Sequence, residues 1–484
     1  MVKEMRQVVR GRMTVALLVG VLGIGVLVLG LVAADGRAGD MGRGTGSVVL
    51  GWVYLVLGVA MWLVLPLGAA MRLVREYNPD DPDLYFHTTL SPWSIFFGKW
   101  MSTMWLGLWL LLAAMPFAWI AWFLRGLGVM SIVAVMANLW MVMGLVTGFA
   151  LLVASLPVKP SGRRALLLLG AVVSGLGFAG MLLGGMVGRS MGMGMGMADW
   201  TSMTVLVTSS FSVFGMGQLG FAAGSSGPSV GGLTVGLMVP GWLLDIAFLL
   251  VLGRALLSPP QANKTVLPRM VLAGGIVACG LVAVLLTATD EMLVLWVARI
   301  VSLVGSWVAV EVSQPIRLPR RARRWLSDNP GLLRVPRLLL SQSRGLGLLF
   351  CVLLMCSIIV FVITVDVNMS SFFSSFSAES IVAGVVGYGL TMLIYALAAC
   401  FIRDWVLLGW LRTSSTGLLM IGLMIVGTVM PIFAMLQVDE LWYLNPWVTL
   451  AQGMDGDLDD FGMAVLGFVA AVALAINLKN LLVG

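Results

Sequence analysis

Two charged residues interrupt long apolar stretches, and they are the first candidates for chemistry. Asp245 lies near the middle of an apolar run at 230–253, and Arg299 lies within another at 292–311. An ionisable side chain at the centre of a bilayer costs about 2.5–3.5 kcal/mol on insertion scales, so such residues are functional candidates by default. Three interpretations stay open: the two residues form a structural ion pair, each reaches separately toward the membrane surface, or both serve a translocation route.

A catalytic or metal site belonging to the chain itself is not predicted. The single histidine, His87, has no acidic or cysteine cluster in register, and we expect it to be a polar surface residue. One histidine excludes metal binding by a histidine cluster. The phosphate-binding pattern GxxxxGK[ST] is absent, because Gly98 and Lys99 are followed by Trp100. The sequence therefore predicts a protein that is not an enzyme, needs no cofactor, and depends on another polypeptide if ATP drives it.

Two segments of biased composition have alternative interpretations. Residues 191–197 alternate methionine with glycine, and thioethers favour Cu(I), but a low-complexity outer loop is preferred because no histidine or cysteine accompanies them. A basic run suits anionic head groups of the inner leaflet or an acidic partner surface, although it also suffices as a determinant of topology. It consists of Arg317, Arg320, Arg321, Arg323 and Arg324.

A polar segment at 72–100 separates two apolar stretches and contains two predicted helix starts. Asp81 precedes Pro82, and Ser91 precedes Pro92, so each pair supplies an N-cap followed by a proline at the first helical position. The pattern predicts a short helix near 82–90, an elbow, and a second helix that enters the membrane. An apolar stripe along both helices would suit docking of a partner protein. Its members are Phe86, Leu90, Trp93 and Phe97.

This segment resembles the loop after the second span in permeases of the type-2 ABC exporter class, with the pattern T-x-L-S-P-x-x-I-x-x-G-K. The matching residues are Thr88, Leu90, Ser91, Pro92, Ile95, Gly98 and Lys99. The resemblance implies that separate cytoplasmic ATPase subunits dock here. The implied docking residues are Pro82, Phe86, Leu90, Ser91, Pro92, Trp93, Gly98 and Lys99, with Asn329 and Pro330 in a second such segment. That second segment, at 327–347, lacks the Ser-Pro and Gly-Lys pairs.

The composition predicts an all-α polytopic membrane protein. Hydrophobic residues make up 60% of the 484 residues and charged residues only 11%, against about 25% in soluble domains. Apolar runs of about 20 residues recur along the chain and predict about twelve transmembrane helices. The predicted spans are 14–33, 48–71, 100–122, 131–156, 165–188, 230–253, 270–287, 292–311, 347–367, 379–402, 416–437 and 462–482. Within them lie all four cysteines, which are predicted to be buried: Cys279, Cys351, Cys356 and Cys400.

The distribution of basic residues predicts the orientation. With the N-terminus inside, most of the 29 lysines and arginines fall in cytoplasmic loops, which gives both termini a cytoplasmic location in a bacterial inner membrane. The first apolar run is about 20 residues long, longer than the apolar region of a signal peptide, so we expect a retained span. The net charge of +7 follows from this bias and does not indicate nucleic-acid binding.

The predicted spans repeat along the chain. The spans near 100 and 131 have counterparts near 347 and 379, an offset of about 248 residues, and Asp81-Pro82 corresponds to Asn329-Pro330. Six spans separate equivalent points, which predicts two parallel six-helix halves at 1–258 and 259–484. By resemblance, residues 189–229 and 438–461 take the position of re-entrant outer segments.

These patterns favour the permease subunit of an ABC transporter, which moves an unidentified substrate with export as the expected direction. Its expected partners are cytoplasmic ATP-binding subunits, membrane lipid and the substrate, and no nucleic acid. The alternatives are an ion-coupled secondary transporter, or a membrane scaffold or membrane-embedded enzyme without a transport role.

Overall fold

The protein is described from a computed structural model, and the part of the chain that it describes is helical. No strand occurs among these residues, which confirms the predicted all-α class. The described residues are 12–34, 45–76, 91–123, 129–156, 160–171, 233–258, 265–285, 290–314, 343–368, 378–406, 416–417, 419–424, 449 and 460–482.

The helices follow the apolar runs of the sequence. The first long ones are α1 (Arg12–Ala34), α2 (Thr45–Val59), a π-helical turn at Ala60–Val64, α3 (Leu65–Glu76), α4 (Pro92–Phe123) and α5 (Val129–Ala154). Residues 160–171 are also helical. Then come α6 (Leu233–Leu257), α7 (Val266–Leu285), α8 (Asp290–Val312), α9 (Arg344–Asn368), α10 (Ala378–Phe401) with a π-helical turn at Ile402–Val406, and α11 (Asp460–Leu482).

Four of the described helices are long and apolar enough to cross a membrane. They are Trp52–Glu76, Pro92–Phe123, Arg344–Thr364 and Glu379–Asp404. This is fewer than the twelve predicted spans. Several of the remaining predicted spans lie partly outside the described residues or form shorter apolar helices, such as Leu139–Ala154 and Met463–Ala475.

Large apolar side chains cover outward-facing surfaces of these helices. Trp109 on α4 is 50% exposed, and Val360 on α9 and Phe468 on α11 are more exposed still. Continuous apolar surface of this kind is unfavourable in water and suits contact with lipid hydrocarbon. Cys356 also lies on the exposed face of α9, whereas Cys351 and Cys400 are buried. The prediction of burial was therefore wrong for Cys356, because helical spacing turns that position away from the neighbouring helices.

The chain forms two compact units. Of the described residues, unit 1 holds 12–171, 233–236 and 246–258, and unit 2 holds 237–245 and those from 265 onward.

Helix contacts in unit 1 depend on small residues. Helix α1 contacts α2 and α4, α2 contacts α4, and α4 contacts α3 and α5, while α3 also contacts α5. Gly144 and Gly148 lie one turn apart on α5, and a Cβ added at them would lie 3.3 Å from Ile246 and 3.2 Å from Leu249 of α6. The ring of Phe96 packs directly on Gly253 of α6. Glycines at this spacing let helix backbones approach closely.

Unit 2 has its own set of contacts. Helix α7 contacts α8 and α9, α8 contacts α9 and α10, and α9 contacts α10. Helix α11 contacts α9 and α10, where the Asn477 side-chain amide donates to the carbonyl oxygen of Leu397 at 3.3 Å. Tyr388 of α10 packs on Gly305 of α8. Unit 2 is therefore stabilised by close helix packing at a glycine and by a few buried polar groups.

The helix start predicted at Ser91-Pro92 is confirmed. The Ser94 backbone N–H donates to Ser91 Oγ at 3.2 Å, and the Ile95 N–H donates to the Ser91 carbonyl at 3.3 Å. Helix α4 then continues to Phe123. Other predicted features lie outside the described residues. They are Pro82, Phe86, His87, Leu90, Asn329, Pro330, the methionine–glycine run at 191–197 and the basic run at 317–324.

Candidate functional site

The structure brings the two intramembrane candidates together. Asp245 of α6 and Arg299 of α8 form an ion pair within unit 2, in which Arg299 Nε donates to Asp245 Oδ2 at 2.9 Å and Nη2 donates to the same oxygen. Asp245 is fully buried and Arg299 nearly so. Among the described residues, Asp245 Oδ1 accepts no hydrogen bond. Of the three interpretations left open by the sequence, the paired arrangement is the one observed.

A second buried ion pair joins the start of α7 to the end of α8. Arg269 Nε donates to Glu311 Oε1 at 2.6 Å, and Arg269 Nη2 donates to Glu311 Oε2 at 2.7 Å. Both side chains are fully buried. Two parallel hydrogen bonds between a guanidinium and a carboxylate fix the mutual orientation of the groups as well as their separation. The pair therefore locks the α7 start to the α8 end.

Helix α9 packs against this ion pair at Gly347. A Cβ added at Gly347 would collide with Glu311 Oε2 and lie 2.8 Å from Arg269 Nη2. One turn of helix later, the Phe350 ring lies 5.6 Å from the Arg269 guanidinium carbon, in cation–π range. The absence of a side chain at Gly347 is thus a steric requirement of the Arg269–Glu311 pair.

The sequence did not predict this pair. In the sequence, Glu311 lies at the end of one apolar run and Arg269 just before another, so neither interrupts an apolar run as Asp245 and Arg299 do. One signal was present: Arg269 begins one apolar run, Glu311 ends the next, and consecutive antiparallel helices bring such ends together. Spacing alone could not say which cation would reach Glu311.

A third polar group lies at the same end of unit 2, where α10 ends. Arg403 pairs with Asp404, and Arg403 Nη1 donates to Thr416 Oγ1 at 3.0 Å. The Gly417 backbone N–H donates to Ser313 Oγ at 3.0 Å. These contacts tie residues 416–417 to the ends of α8 and α10. We call this end, where α7 and α9 begin and α8 and α10 end, the basal end of unit 2.

Arg344, the first residue of α9, completes the basal end of unit 2. Its side chain is buried, with 2% of the residue exposed, and it lies close enough to Arg403 and Asp404 to interact electrostatically with both. Within the described part of the chain, its Nε and Nη2 donate to no acceptor. Among the described residues, the basal end therefore holds three buried arginines, one buried carboxylate and the partly exposed carboxylate of Asp404.

Unit 1 also has charged groups at the end where α3 and α5 finish and α4 begins, here called the basal end of unit 1. Lys99 Nζ lies 2.6 Å from Glu76 Oε2, with the lysine buried and the glutamate 45% exposed. Arg163, at the start of the helix at 160–171, is fully buried and donates to the Ala154 carbonyl at 2.7 Å. The charge pattern of the sequence predicts a cytoplasmic location for both basal ends.

The described members of the predicted docking set surround the start of α4. Ser91 and Trp93 are exposed, and the Trp93 ring stacks on Phe97 with centroids 5.9 Å apart. Gly98 and Lys99 are buried, and Lys99 is directed at Glu76. Within the described residues, Trp93 and Phe97 thus present the accessible apolar surface, whereas Lys99 contributes to the packing of unit 1.

The described residues contain no group of three or more histidine, cysteine or acidic side chains able to hold a metal ion. What they do offer is fixed buried charge at helix ends. Comparison with protein families, with characterised proteins and with solved structures finds no match to this chain.

Proposed function

We propose that the chain is the transmembrane permease subunit of an ATP-driven exporter, with about twelve spans in a bacterial inner membrane, that works with separate cytoplasmic ATPase subunits. Its substrate is unidentified. The observation that carries the proposal is the order of helix contacts, which is the same in the two units.

In each unit the first span contacts the second and third, the second contacts the third and fourth, and the third contacts the fourth. The last span of each unit then contacts the third and fourth. In unit 1 these contacts are made through Gly253 and Gly144, and in unit 2 by α11 with α9 and α10. A repeated membrane unit within one chain is typical of transporters, in which the substrate route lies between the repeats. This supports transport by two six-helix halves.

Coupling to ATP rests on the resemblance of residues 72–100 to the exporter permeases. The helix start at Ser91-Pro92 and the exposed Trp93 suit a short docking element at the basal end of unit 1. The chain has no nucleotide-binding pattern, so ATP binds to a partner. For ATP to drive transport, it must bind two conformations of the assembly with different affinities.

The buried Asp245–Arg299 pair favours a second candidate, an ion-coupled carrier. Ionisable groups within membrane helices commonly lie on ion or proton pathways. Here the arginine compensates the carboxylate, which also satisfies a purely structural role. A carrier of this kind needs no ATPase partner.

Copurification from native membranes separates the two candidates. We expect a soluble ATPase to copurify with the wild type and to be lost from the Phe86→Ala, Leu90→Ala double variant. Truncating a docking anchor typically costs more than about 1–2 kcal/mol of binding, so the double variant should bind at least about tenfold more weakly. The matched control is Trp109→Ala with Leu112→Ala, which truncates exposed apolar residues of α4 outside the docking segment.

Membrane insertion should be unchanged in both double variants. Retention of the ATPase by the Phe86→Ala, Leu90→Ala variant would show that this segment does not dock it. If no ATPase copurifies even with the wild type, the ATP-driven proposal fails and the ion-coupled carrier is favoured.

A further inference from the structure

We propose that Arg344 and Arg403, at the basal end of unit 2, bind a phosphate group. The site would take either the head-group phosphate of an anionic lipid or a free phosphate anion. This inference does not depend on the transport mechanism.

Arg344 is the starting point, because two of its three guanidinium nitrogens are buried without an acceptor within the described residues. Only 2% of the residue is exposed, and its Nε and Nη2 donate to no oxygen within the described residues. Burying a guanidinium without acceptors is costly, and native proteins normally satisfy such groups. The arrangement is explained if an anion supplies the missing acceptors.

Among the described residues, the charges around Arg344 leave a net positive cluster. Arg403 pairs with Asp404 and donates to Thr416, so the carboxylate that acts on Arg344 in this part of the chain is also engaged by another arginine. The guanidinium of Arg344 thus adds a positive charge that Asp404 does not offset alone. One anionic group between the two arginines would compensate it.

The helix start adds donors to the same place. Arg344 is the first residue of α9, a helix of 25 residues, and the Gly347 N–H makes the first intrahelical bond, to the Ser343 carbonyl at 3.0 Å. The amides that precede it in the first turn have no intrahelical acceptor, and the positive end of the helix dipole favours an anion there. Two features, the Nε and Nη2 donors of Arg344 without acceptors among the described residues and the N-terminus of α9, therefore belong to the start of the same helix.

Asp404 is the partly exposed member of this cluster. Asp404 keeps 22% of its side chain exposed, although Arg403 and Arg344 are buried. A head group at the membrane surface could enter beside Asp404 while its acyl chains stay in the bilayer. Guanidinium groups match phosphate oxygens through paired donors, and basic pockets between membrane helices bind anionic head groups. Phosphate is therefore the anion that this chemistry recognises best.

The test uses the full-length purified protein and compares three additions: phosphatidylglycerol in mixed micelles, phosphatidylcholine in the same micelles, and inorganic phosphate. We expect phosphatidylglycerol to raise the thermal midpoint by about 2 °C or more over phosphatidylcholine if the source is lipid. A comparable rise with inorganic phosphate would identify a free anion as the source. Native mass spectrometry should then show at least one retained phospholipid or phosphate on the wild type.

Arg344→Gln should abolish the response to both phosphate sources and lose the retained ligand. Arg344→Lys keeps the positive charge but removes the planar guanidinium, which can donate two parallel hydrogen bonds to a phosphate. We expect its affinity for whichever phosphate source binds the wild type to fall about tenfold. This second variant keeps the test valid if Arg344→Gln does not fold. Arg254→Gln is the matched control, since it removes an exposed arginine from the end of α6 and should respond like the wild type.

Equal responses in the wild type and Arg344→Lys would overturn the proposal. So would a wild type that responds to neither phosphate source and retains no phosphate-bearing ligand.

Discussion

The basal ends of the two units hold the same kinds of charge in different arrangements. In unit 1, Glu76 ends the second span and pairs with Lys99 of the third, and the glutamate stays 45% exposed. In unit 2, Glu311 ends the equivalent span but pairs with Arg269 of the first, through two hydrogen bonds and with both side chains fully buried. A carboxylate thus ends the second span of each unit, but its cation comes from a different helix in each.

Position 347 accounts for the difference. It lies 248 residues after Lys99, at the offset that relates the predicted halves, and it is glycine. A lysine at that position could not fit beside Glu311, because even a Cβ would collide with its carboxylate. The absence of a side chain at Gly347 leaves room for Arg269 beside Glu311. The Lys99–Glu76 pair is open to solvent on the glutamate side, so we expect it to contribute as much as a surface pair, about 0–1 kcal/mol. Breaking a fully buried pair costs about 3–5 kcal/mol, so the two ends should differ in rigidity.

The largest expected effect is that of removing the buried carboxylate. Glu311→Gln should lower the free energy of unfolding by about 3–5 kcal/mol, because Arg269 would keep its charge without a counter-ion. Glu76→Gln should cost about 1 kcal/mol or less, since Glu76 is half exposed and the Lys99 stem can carry its ammonium toward water. Equilibrium unfolding of the purified protein in mixed micelles measures both. Similar losses in the two variants would remove the contrast between the units.

A double replacement sharpens this comparison. Arg269→Met with Glu311→Leu replaces the pair with apolar groups of similar volume, and it should recover most of the stability lost in Glu311→Gln. A double variant that is as unstable as the single one would show that the pair has a role beyond mutual compensation.

The next effect in size concerns Gly347. Gly347→Ala should destabilise the protein by about 1–3 kcal/mol, since the added methyl group must displace the Arg269–Glu311 pair or shift α9. Gly98→Ala is the control near the start of α4 in unit 1, where an added Cβ meets no atom of the described residues within 4 Å. It should be neutral or stabilise by up to about 1 kcal/mol through helix propensity. Thermal melts of both variants measure these changes in stability. A stabilising effect of Gly347→Ala would contradict the steric argument.

The smallest effect belongs to the helix start of unit 1. Ser91→Ala should cost about 1 kcal/mol, because Ser91 Oγ accepts the Ser94 N–H. Ser91→Asp should preserve the cap, and Ser94→Ala should change stability by less than about 0.5 kcal/mol, as usual for an exposed site. Unfolding midpoints measured side by side test this order. An Ala variant as stable as the Asp variant would show that Pro92 suffices to begin α4.

Local features of the fold could be predicted from the sequence for physical reasons. Membrane helices must satisfy their own backbone hydrogen bonds, so apolar runs predict helices directly. The start of α4 was predictable because a serine cap and a following proline act within one turn. Burial of Cys356 was predicted wrongly, since hydrophobicity does not say whether a side chain faces protein or lipid.

The candidate site was only partly predictable. Asp245 and Arg299 stood out because each interrupts an apolar run, but their pairing was one of three interpretations. Arg269, Glu311 and Arg344 lie at the edges of apolar runs, where charge is common and carries little information by itself. Their burial depends on how α7, α8, α9 and α10 pack, and the sequence does not state that packing.

By itself the sequence determined the helical class, the positions of most helices and the presence of two charges inside apolar runs. These follow from hydropathy and from helix-end chemistry, which act over a few neighbouring residues. Only the tertiary structure decided which charges meet. Arg269 reaches Glu311 across 42 positions, and Arg299 reaches Asp245 across 54. Such pairings depend on which helices are neighbours, on how far each helix end extends along its neighbours and on the space left by a glycine. These are properties of packed helices and cannot be read from any one segment.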